Sequence, residues 1–301
     1  MTAVLTRKPA TLLPGIRQHP RTFGVIVAAG AAFVWLYAGV VSGLARQWAS
    51  DENYSHGFLV VPLAAFFAWE RRRALARAPQ RPSLVGVAVI VASLVVFLVG
   101  TFGADLFLTR ISVVGVLAGS VLFLYGSAWL RILAFPLAFL LLMVPLPSIL
   151  FNQITFPLQL LASQAGELVI SAAGVPVLRE GNILQLPTRT LEVAEACSGI
   201  RSLVSLLMLA IVLGQFSSGG TLTRVAIAAA AVPIAIAANA LRVAGTGLAA
   251  AWISPAAADG FFHAFTGWVA FVAACGALVA FQCSLAWRPA WRLRVAAGEQ
   301  S

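Results

Sequence analysis

The segment EACSGIRSL, residues 195–203, decides how the rest of this sequence is interpreted, because two runs of opposite character meet in it. Residues 178–195 are polar, whereas residues 203–216 are apolar and predict a membrane helix. Cys197 therefore stands where that helix is predicted to begin. A helix start carries free N–H groups and a partial positive charge, which stabilise the nucleophilic thiolate. Most cysteines of membrane helices are small packing residues, so a structural interpretation stands beside the catalytic one.

The composition indicates a polytopic membrane protein. Of the 301 residues, 60% are hydrophobic and only 10% are charged, against roughly 25% charged residues in soluble domains. The net charge of +10 comes from basic clusters in short loops, which membrane topology explains better than binding to nucleic acid. The three cysteines do not form a C-x-x-C pair and there are only three histidines. We therefore expect no metal site and no cofactor.

The apolar runs predict an all-α bundle of about eight transmembrane helices. We assign residues 1–21 to a basic cytoplasmic tail, residues 22–285 to the membrane domain and residues 286–301 to a second basic tail. A short outer loop is predicted from Asp105 to Arg110. The predicted spans are 22–44, 57–69, 84–102, 111–127, 132–144, 199–216, 225–252 and 261–285.

Residues 148–195 differ from the spans on either side, because polar and apolar residues are mixed there. Residues 148–177 predict an amphipathic helix that lies at the interface or against the bundle. Residues 183–193 alternate between polar and apolar and predict a β-hairpin turning near Pro187 and Thr188. Open strand edges cannot face lipid, so the hairpin should lie outside the membrane. The apolar face of the helix is predicted from Leu158, Leu161, Ala165, Leu168 and Val169.

The distribution of charge predicts the orientation. With the N-terminus inside and alternating spans, 14 of the 20 basic residues fall in inner segments and 8 of the 10 acids fall on the outer side. Because lysine and arginine favour the cytoplasmic side, both termini are predicted to be cytoplasmic. Cys197, the outer part of the helix carrying Arg242, and His263 then share the outer face.

These three residues suggest acyl transfer. An imidazole can take the thiol proton and return one to a leaving amine, and a guanidinium can hold the oxyanion. Two alternatives stay open. His263 could be an interfacial side chain, and Arg242 could snorkel to the surface or pair with Glu195 or Asp259. The competing functional class is a membrane transporter or binding protein without covalent catalysis.

Four motifs resemble those of the exosortase/archaeosortase family. EACSGIRSL at 195–203, NALRV at 239–243, and FH at 262–263 followed by TGW at 266–268 resemble its three signature motifs in order and spacing. The upstream YSHG at 54–57, followed by WERR at 69–72, resembles the family's N-terminal motif. The resemblance covers roughly residues 46–285.

This resemblance implies a multi-pass cysteine protease of the bacterial inner membrane, similar to a transpeptidase, whose active site faces the periplasm. Such enzymes act on exported proteins that end in a sorting signal: a short motif such as Pro-Glu-Pro (PEP-CTERM), a transmembrane helix and a basic cluster. The enzyme is expected to cleave near the motif and to transfer the new C-terminus to a surface acceptor. The motif match implies that Cys197 is the nucleophile and gives the arginine and histidine roles to Arg242 and His263. Some members carry a further soluble domain after the core, and a stand-alone type is expected here.

Four more residues are candidates for substrate-binding or supporting roles. Arg201 lies four residues after Cys197, hence on the same helical face, so either Arg201 or Arg242 could lower the pKa of the thiol. His56 could be a substrate contact, a second acid/base or a structural donor, with the structural role placed first. Glu195 and Asn239 belong to the motifs themselves. Small residues of the Arg242 helix, namely Gly245, Gly247, Ala249 and Ala250, are expected to let a substrate helix approach closely.

Overall fold

A computed structural model describes the backbone of residues 20–193, 199–254 and 260–298, and the side chains of residues 27–193, 199–254 and 265–285. The chain is mostly helical with one small sheet. It divides into two compact units, Met1–Pro147 (unit 1) and Ser148–Ser301 (unit 2). The predicted N-terminal tail lies almost entirely outside the described residues.

Unit 1 contains six helices in its described part. A 3₁₀ turn, Leu140–Met143, follows the last of them and ends before the Pro145-Leu146-Pro147 segment. This end agrees with the predicted end of the fifth apolar run. The helices are α1 (Pro20–Ser50), α2 (Gly57–Glu70), α3 (Arg72–Arg77), α4 (Val85–Phe102), α5 (Leu106–Tyr125) and α6 (Ser127–Phe139).

Helices α4 and α5 form a tightly packed hairpin, because small residues line their contact. A Cβ at Gly86 would overlap the backbone of Phe123, and one at Gly119 would lie 3.0 Å from the backbone nitrogen of Ile90. Close approach of this kind is how membrane helices associate without a hydrophobic driving force. Asp105 caps α5, since its Oδ1 accepts hydrogen bonds from the N–H groups of the second and third helical residues, at 2.8 and 3.1 Å.

This cap shows that the predicted outer loop from Asp105 to Arg110 is wrong. Helix α5 begins at Leu106, so Arg110 lies within the helix, and its side chain is only 6% exposed. The prediction failed because a buried arginine was taken as the end of a loop, although an aspartate at an N-cap is the stronger boundary signal.

Unit 2 begins with α7 (Ser148–Ala172) and a three-stranded antiparallel sheet, and continues with three long helices. The helices α8 (Ile200–Phe216), α9 (Thr221–Trp252) and α10 (Gly260–Gly298) pack around one apolar core. Backbone helix continues in α10 beyond Leu285, where the last span was predicted to end. The buried residues of this core are Leu206, Ala210, Ile227, Ala231, Ala235, Ala274 and Leu278.

The sheet confirms the predicted hairpin and adds a strand to it. Strands β2 (Ile183–Gln185) and β3 (Thr190–Glu192) pair across a turn closed by a 2.9 Å hydrogen bond from Leu186 N to Arg189 O. Strand β1 (Leu178–Glu180) pairs with the other edge of β2 and was not predicted. It is three residues long, which is too short for alternation to show, and its turn depends on Gly181 with φ of +64°.

The sheet is fixed to α7 and α9 by one apolar face. Leu184 is fully buried in a cluster with Ile170 of α7 and with Val243 and Ala244 of α9. A polar contact adds to this packing, since the buried Ser163 hydroxyl of α7 donates to the Gly181 carbonyl at 2.9 Å. The hairpin is therefore held by the helices rather than extended freely from them.

The amphipathic helix is present, but the predicted inward face is wrong. Helix α7 buries Ser163, Gly166 and Ile170, whereas Leu168 is 71% exposed. Gly166 faces α9 because it must admit Val243, while Leu161 and Leu168 are exposed and Leu158 is half-buried. Two of the four small residues expected to admit a substrate helix are already packed, since Gly247 contacts Ile170 and Ala250 is buried within unit 2, whereas an added Cβ at Gly245 would meet nothing within 4 Å.

The expected number of about eight spans is not confirmed. Within the described residues, five helices are long and apolar enough to cross a membrane, or six if 127–143 and 148–172 form one broken span. Helices α2 and α8, at 14 and 17 residues, are apolar but shorter. They measure about 21 and 26 Å, less than the ~30 Å hydrocarbon core. The five helices cover Val27–Ser50, Val85–Phe102, Leu106–Tyr125, Thr221–Trp252 and Phe265–Leu285.

Candidate active site

The structure describes some of the predicted site residues in full, one by its backbone only, and others not at all. Cys197 and Glu195 lie outside the described residues. The backbone position of His263 is the fourth residue of α10, and its side chain lies outside the described part. Arg201, Asn239 and Arg242 are described in full, all in unit 2, and they define the geometry around the motifs.

Gly199 determines how α8 begins. Its φ is +80°, a conformation that favours glycine, and its carbonyl accepts the hydrogen bond from Leu203 N at 2.8 Å. A Cβ at this position would lie 2.7 Å from Cγ and 3.0 Å from Nδ2 of Asn239. Asn239 is buried, with 5% of its surface exposed. The first motif therefore needs glycine here both for the turn and for direct contact with the second motif.

Arg242 connects the second motif to the third. A Cβ at Gly267 would lie 3.0 Å from both Cζ and Nε of Arg242, so the guanidinium lies against the backbone of α10. His263 is four positions earlier in the same helix, one turn from Gly267. Arg242 is three residues after Asn239, hence on the same side of α9. One side of α9 thus meets the start of α8 at Gly199 and α10 at Gly267.

The two residues that flank the five-residue segment carrying Cys197, Val193 and Gly199, both contact α9. The segment follows Val193, which is 2% exposed and packs in the cluster with Val243 and Ala244. The Val193 N–H donates to Asn182 O at 2.8 Å, which ties it to the sheet. On the other side of the segment, Gly199 contacts Asn239. The described residues that flank the segment therefore both contact the part of α9 that carries the second motif.

Little space remains beneath the start of α8. A cavity of about 10 Å³ lies beside Gly199 and Asn239, which is room for roughly one water molecule. Among the side chains that the structure describes, Gly199 and Asn239 are therefore closely packed. The rest of the cavity is lined by Leu158, Ala162, Leu203, Ala235 and Ile236.

The charges around the motifs favour an anion. Arg201 in the first turn of α8 and Arg242 on α9 are both half-buried guanidinium groups, and the N-terminus of α8 adds a partial positive charge. Such an arrangement can stabilise a thiolate or an oxyanion. Among the side chains that the structure describes, no group of three His, Cys, Asp or Glu residues comes together.

The N-terminal motif lies in unit 1, where its side chains bond to the main chain. His56 is buried, and its Nε2–H donates to Leu142 O at 3.1 Å. Burial lowers the pKa of His56, although hydrogen bonds to the backbone of Leu142 and Asn53 oppose this shift. These contacts are those expected of a structural donor. A role for His56 in acid/base chemistry or substrate contact stays a prediction.

Neighbouring side chains make similar contacts in unit 1. Trp48 Nε1 donates to Met143 O at 3.0 Å and its ring covers Gly57, where a Cβ would overlap the indole. Arg71 Nη1 donates to Ile132 O at 2.7 Å, with the guanidinium 5.6 Å from the centre of the Phe135 ring. The N-terminal motif thus fixes α2 against α6 and the 3₁₀ turn.

The comparisons with known proteins identify the motifs with one family. The family model for Transmembrane exosortase (Exosortase_EpsH) matches residues 48–280, about three quarters of the chain. No curated protein and no solved structure matches the chain. The matched range includes all four motifs and parts of both units.

Proposed function

This chain belongs to the transmembrane exosortase family, and from that premise we propose that it is a membrane-embedded cysteine protease and transpeptidase. Its substrates are exported proteins that end in a PEP-CTERM-like signal: a short motif, a transmembrane helix and a basic cluster. It cleaves them at the outer face of the inner membrane and transfers the new C-terminus to a surface acceptor. Both chain termini are cytoplasmic in this proposal.

The observation that carries the proposal is the contact of three motifs along one side of α9. Gly199 packs on Asn239, and Gly267 packs on Arg242. These contacts support a shared site, because they join the motif of Cys197 to Arg242 and to the helix that contains His263. A transporter has no need for a cysteine motif, an arginine and a histidine motif to converge.

The proposed reaction follows from the chemistry of these groups. His263 takes the Sγ proton of Cys197, and the thiolate attacks the scissile carbonyl carbon. Arg242 and the N–H groups at the start of α8 hold the resulting oxyanion. The C–N bond breaks as His263 returns the proton to the leaving amine, which leaves a thioester on Cys197. A hydroxyl or amine acceptor then attacks the thioester, loses its proton to His263 and releases the Cys197 thiol.

Arg201 and Arg242 have separate proposed roles. Arg201 lies closer to Cys197 along the chain, so it lowers the thiol pKa, whereas Arg242 holds the oxyanion. Neutralising Arg201 should reduce alkylation of Cys197 by iodoacetamide at neutral pH. Neutralising Arg242 should leave alkylation in place and stop turnover.

The direct test is processing of a tagged reporter that ends in a Pro-Glu-Pro motif, an apolar helix and an arginine cluster. We expect Cys197→Ala and Cys197→Ser to abolish cleavage in cells. Cys275→Ala and Cys283→Ala are matched controls in α10 and should process normally; Cys283 is exposed and Cys275 half-buried. Continued cleavage by Cys197→Ala would overturn the proposed nucleophile, and failure of the unmodified protein to cleave would overturn the proposed substrate.

A further inference from the structure

The two outer strands of the sheet in unit 2 differ in what they contact. Strand β1 is bound to α7, because Arg179 Nε donates to Glu167 Oε2 at 2.7 Å. Strand β3 packs by one face on α9, where a Cβ at Gly247 would lie 3.7 Å from Cδ1 of Leu191. A side chain of α7 thus secures β1, whereas α9 supports one face of β3.

Hydrogen bonds at the two ends of the β2–β3 pair fix its bonding pattern. Leu186 N donates to Arg189 O at 2.9 Å, and Val193 N donates to Asn182 O at 2.8 Å. Directly opposed residues of an antiparallel pair alternate between those that exchange hydrogen bonds and those that do not. Leu191, midway between these two bonds, is therefore bonded to β2.

The outer edge of β3 consists of the main-chain groups of Thr190 and Glu192. These residues stand on either side of Leu191, so their N–H and C=O groups point away from β2. Within the part of the chain that the structure describes, no hydrogen bond reaches these four groups. Thr190 is exposed and Glu192 is half-buried. An unpaired strand edge of this kind is a template for pairing with another strand.

This edge lies directly before the first motif in the chain. Strand β3 ends at Glu192, and Cys197 follows five positions later in the sequence. The strand is held firmly, because Leu191 packs on α9 and Val193 is bonded to the sheet. A peptide paired with β3 therefore lies beside the strand that leads into the segment of the proposed nucleophile. All of these residues belong to unit 2.

We propose that the outer edge of β3 binds the substrate as an added strand, with an extended segment of its main chain bonded to Thr190 and Glu192. The occupant is a main chain because the free groups are two amide donors and two carbonyl acceptors, whose spacing another extended backbone matches. Pairing of this kind fixes the register of the peptide while it reacts. This assignment rests on the proposed function, since it names the surface on which that reaction holds its substrate.

The first test changes the main chain of the substrate. The reporter is assembled by peptide ligation with one N-methyl group at successive non-proline residues on either side of its sorting motif. Its Kd for the Cys197→Ala protein is measured by fluorescence anisotropy in detergent. The Kd should rise about 10-fold at two positions that are two residues apart, and change little at the residue between them, because alternate amides face the partner strand. Equal effects at neighbouring positions, or no measurable binding, would overturn the assignment.

The second test removes a donor from the edge itself, in the Cys197→Ala protein. Proline lacks an N–H and is tolerated in an edge strand where that group faces outward. The Kd of the unmethylated reporter should be about 10-fold higher for Thr190→Pro than for Thr190→Ala, since both lose the hydroxyl and proline alone loses the N–H. If Thr190→Pro does not accumulate in the membrane, Glu192→Pro is compared with Glu192→Ala.

Strand β1 provides the matched control for this comparison. By the same alternation, Arg179 is the residue of β1 whose N–H points away from β2. Arg179→Pro and Arg179→Ala both lose the ion pair with Glu167 and should bind the reporter equally. Equal Kd values for Thr190→Pro and Thr190→Ala, or a proline effect at Arg179 as large as at Thr190, would refute pairing with β3.

Binding and cleavage separate this assignment from the proposed function. Cleavage by the unmodified protein that depends on Cys197, without the two-residue spacing or the proline effect, would overturn the strand pairing and leave the reaction standing. The spacing and the proline effect, without cleavage that depends on Cys197, would support the strand pairing and overturn the proposed reaction.

Discussion

Polar side chains are used differently in the two units. In unit 1, Trp48, His56 and Arg71 each donate to a carbonyl of α6 or of the 3₁₀ turn after it. The bonds to Leu142 and Met143 satisfy carbonyls near a helix end, and the bond to Ile132 satisfies a carbonyl inside α6 that Pro136, which has no N–H, leaves open. Their loss should appear as a loss of stability.

In unit 2, the polar side chains of α9 pack against glycines that belong to other motifs. Asn239 meets Gly199, and Arg242 meets Gly267. Glycine at these positions brings a backbone against a functional group with no side chain between them. From this difference and the proposed function, we expect mutations of the unit 1 motif to affect mainly the structure and mutations of the unit 2 motifs to affect mainly the reaction. Stability and activity should therefore separate in mutants of the two units.

The largest effect is expected at Arg242. Arg242→Gln should lower turnover of the reporter about 100- to 1000-fold, because an oxyanion donor is lost, with little change in thermal stability. Arg71→Gln is its unit 1 counterpart and should lower the melting temperature by a few degrees, with normal turnover per folded molecule. The measurements are turnover in detergent and thermal unfolding. An equal loss of turnover in both variants would contradict the expected difference between the two units.

Gly199→Ala should have the next largest effect, about 10- to 100-fold on turnover, because the Cβ would displace Asn239 at the start of α8. Its control is Gly174→Ala. Gly174 has nearly the same φ, +81°, but nothing within 4 Å of the added Cβ. Both variants should lose about 1–2 kcal/mol of stability from the left-handed backbone. Equal turnover in the two would show that the contact with Asn239 does not matter.

A smaller loss, about 3- to 10-fold, is expected for Gly267→Ala. The added methyl group would be 3.0 Å from the guanidinium of Arg242, which can shift by a few tenths of an ångström because it ends a flexible side chain. Gly276→Ala in the same helix meets nothing within 4 Å and should retain full turnover. Steady-state kinetics on the two purified variants provides the comparison. A normal rate for Gly267→Ala would mean that the position of Arg242 is not critical.

The smallest effect is a pH dependence of stability at His56. Burial holds the pKa of His56 below the ordinary value of 6.5. The unfolded chain therefore binds a proton at this residue more readily than the folded protein does. Its contribution is therefore complete above pH 6.5 and is lost as the pH falls towards the lowered pKa. The melting temperature should drop between pH 7.5 and 5, and by less in His56→Gln. An equal drop in both would exclude His56 as the source.

The sequence was sufficient for the parts of the fold that have strong local signals. The alternation in residues 183–193 predicted the β2–β3 hairpin, and the change from polar to apolar at residue 199 predicted the start of α8. Both signals reflect one-sided burial, which the chain encodes residue by residue. The family motifs also fixed which positions of α8, α9 and α10 should come together.

Other features depended on tertiary contacts that no local pattern reveals. Gly166 of helix α7 faces inward because it must admit Val243. The spacing of the leucines therefore predicted the wrong buried face for this helix. The number of spans depends on where short apolar helices end. Arg110 is 6% exposed although it ends a predicted loop, because it lies within α5 and is covered by tertiary packing.

The most direct test of the account is interception of the acyl-enzyme with hydroxylamine. The reporter is cleaved by the purified protein at saturating hydroxylamine, and the C-terminus of the N-terminal fragment is identified by mass spectrometry. The account predicts a hydroxamate with the unmodified protein and no product with Cys197→Ala, because a thioester on Cys197 must precede transfer. A fragment that carries only a free carboxylate, or a hydroxamate formed by Cys197→Ala, would contradict covalent catalysis by Cys197.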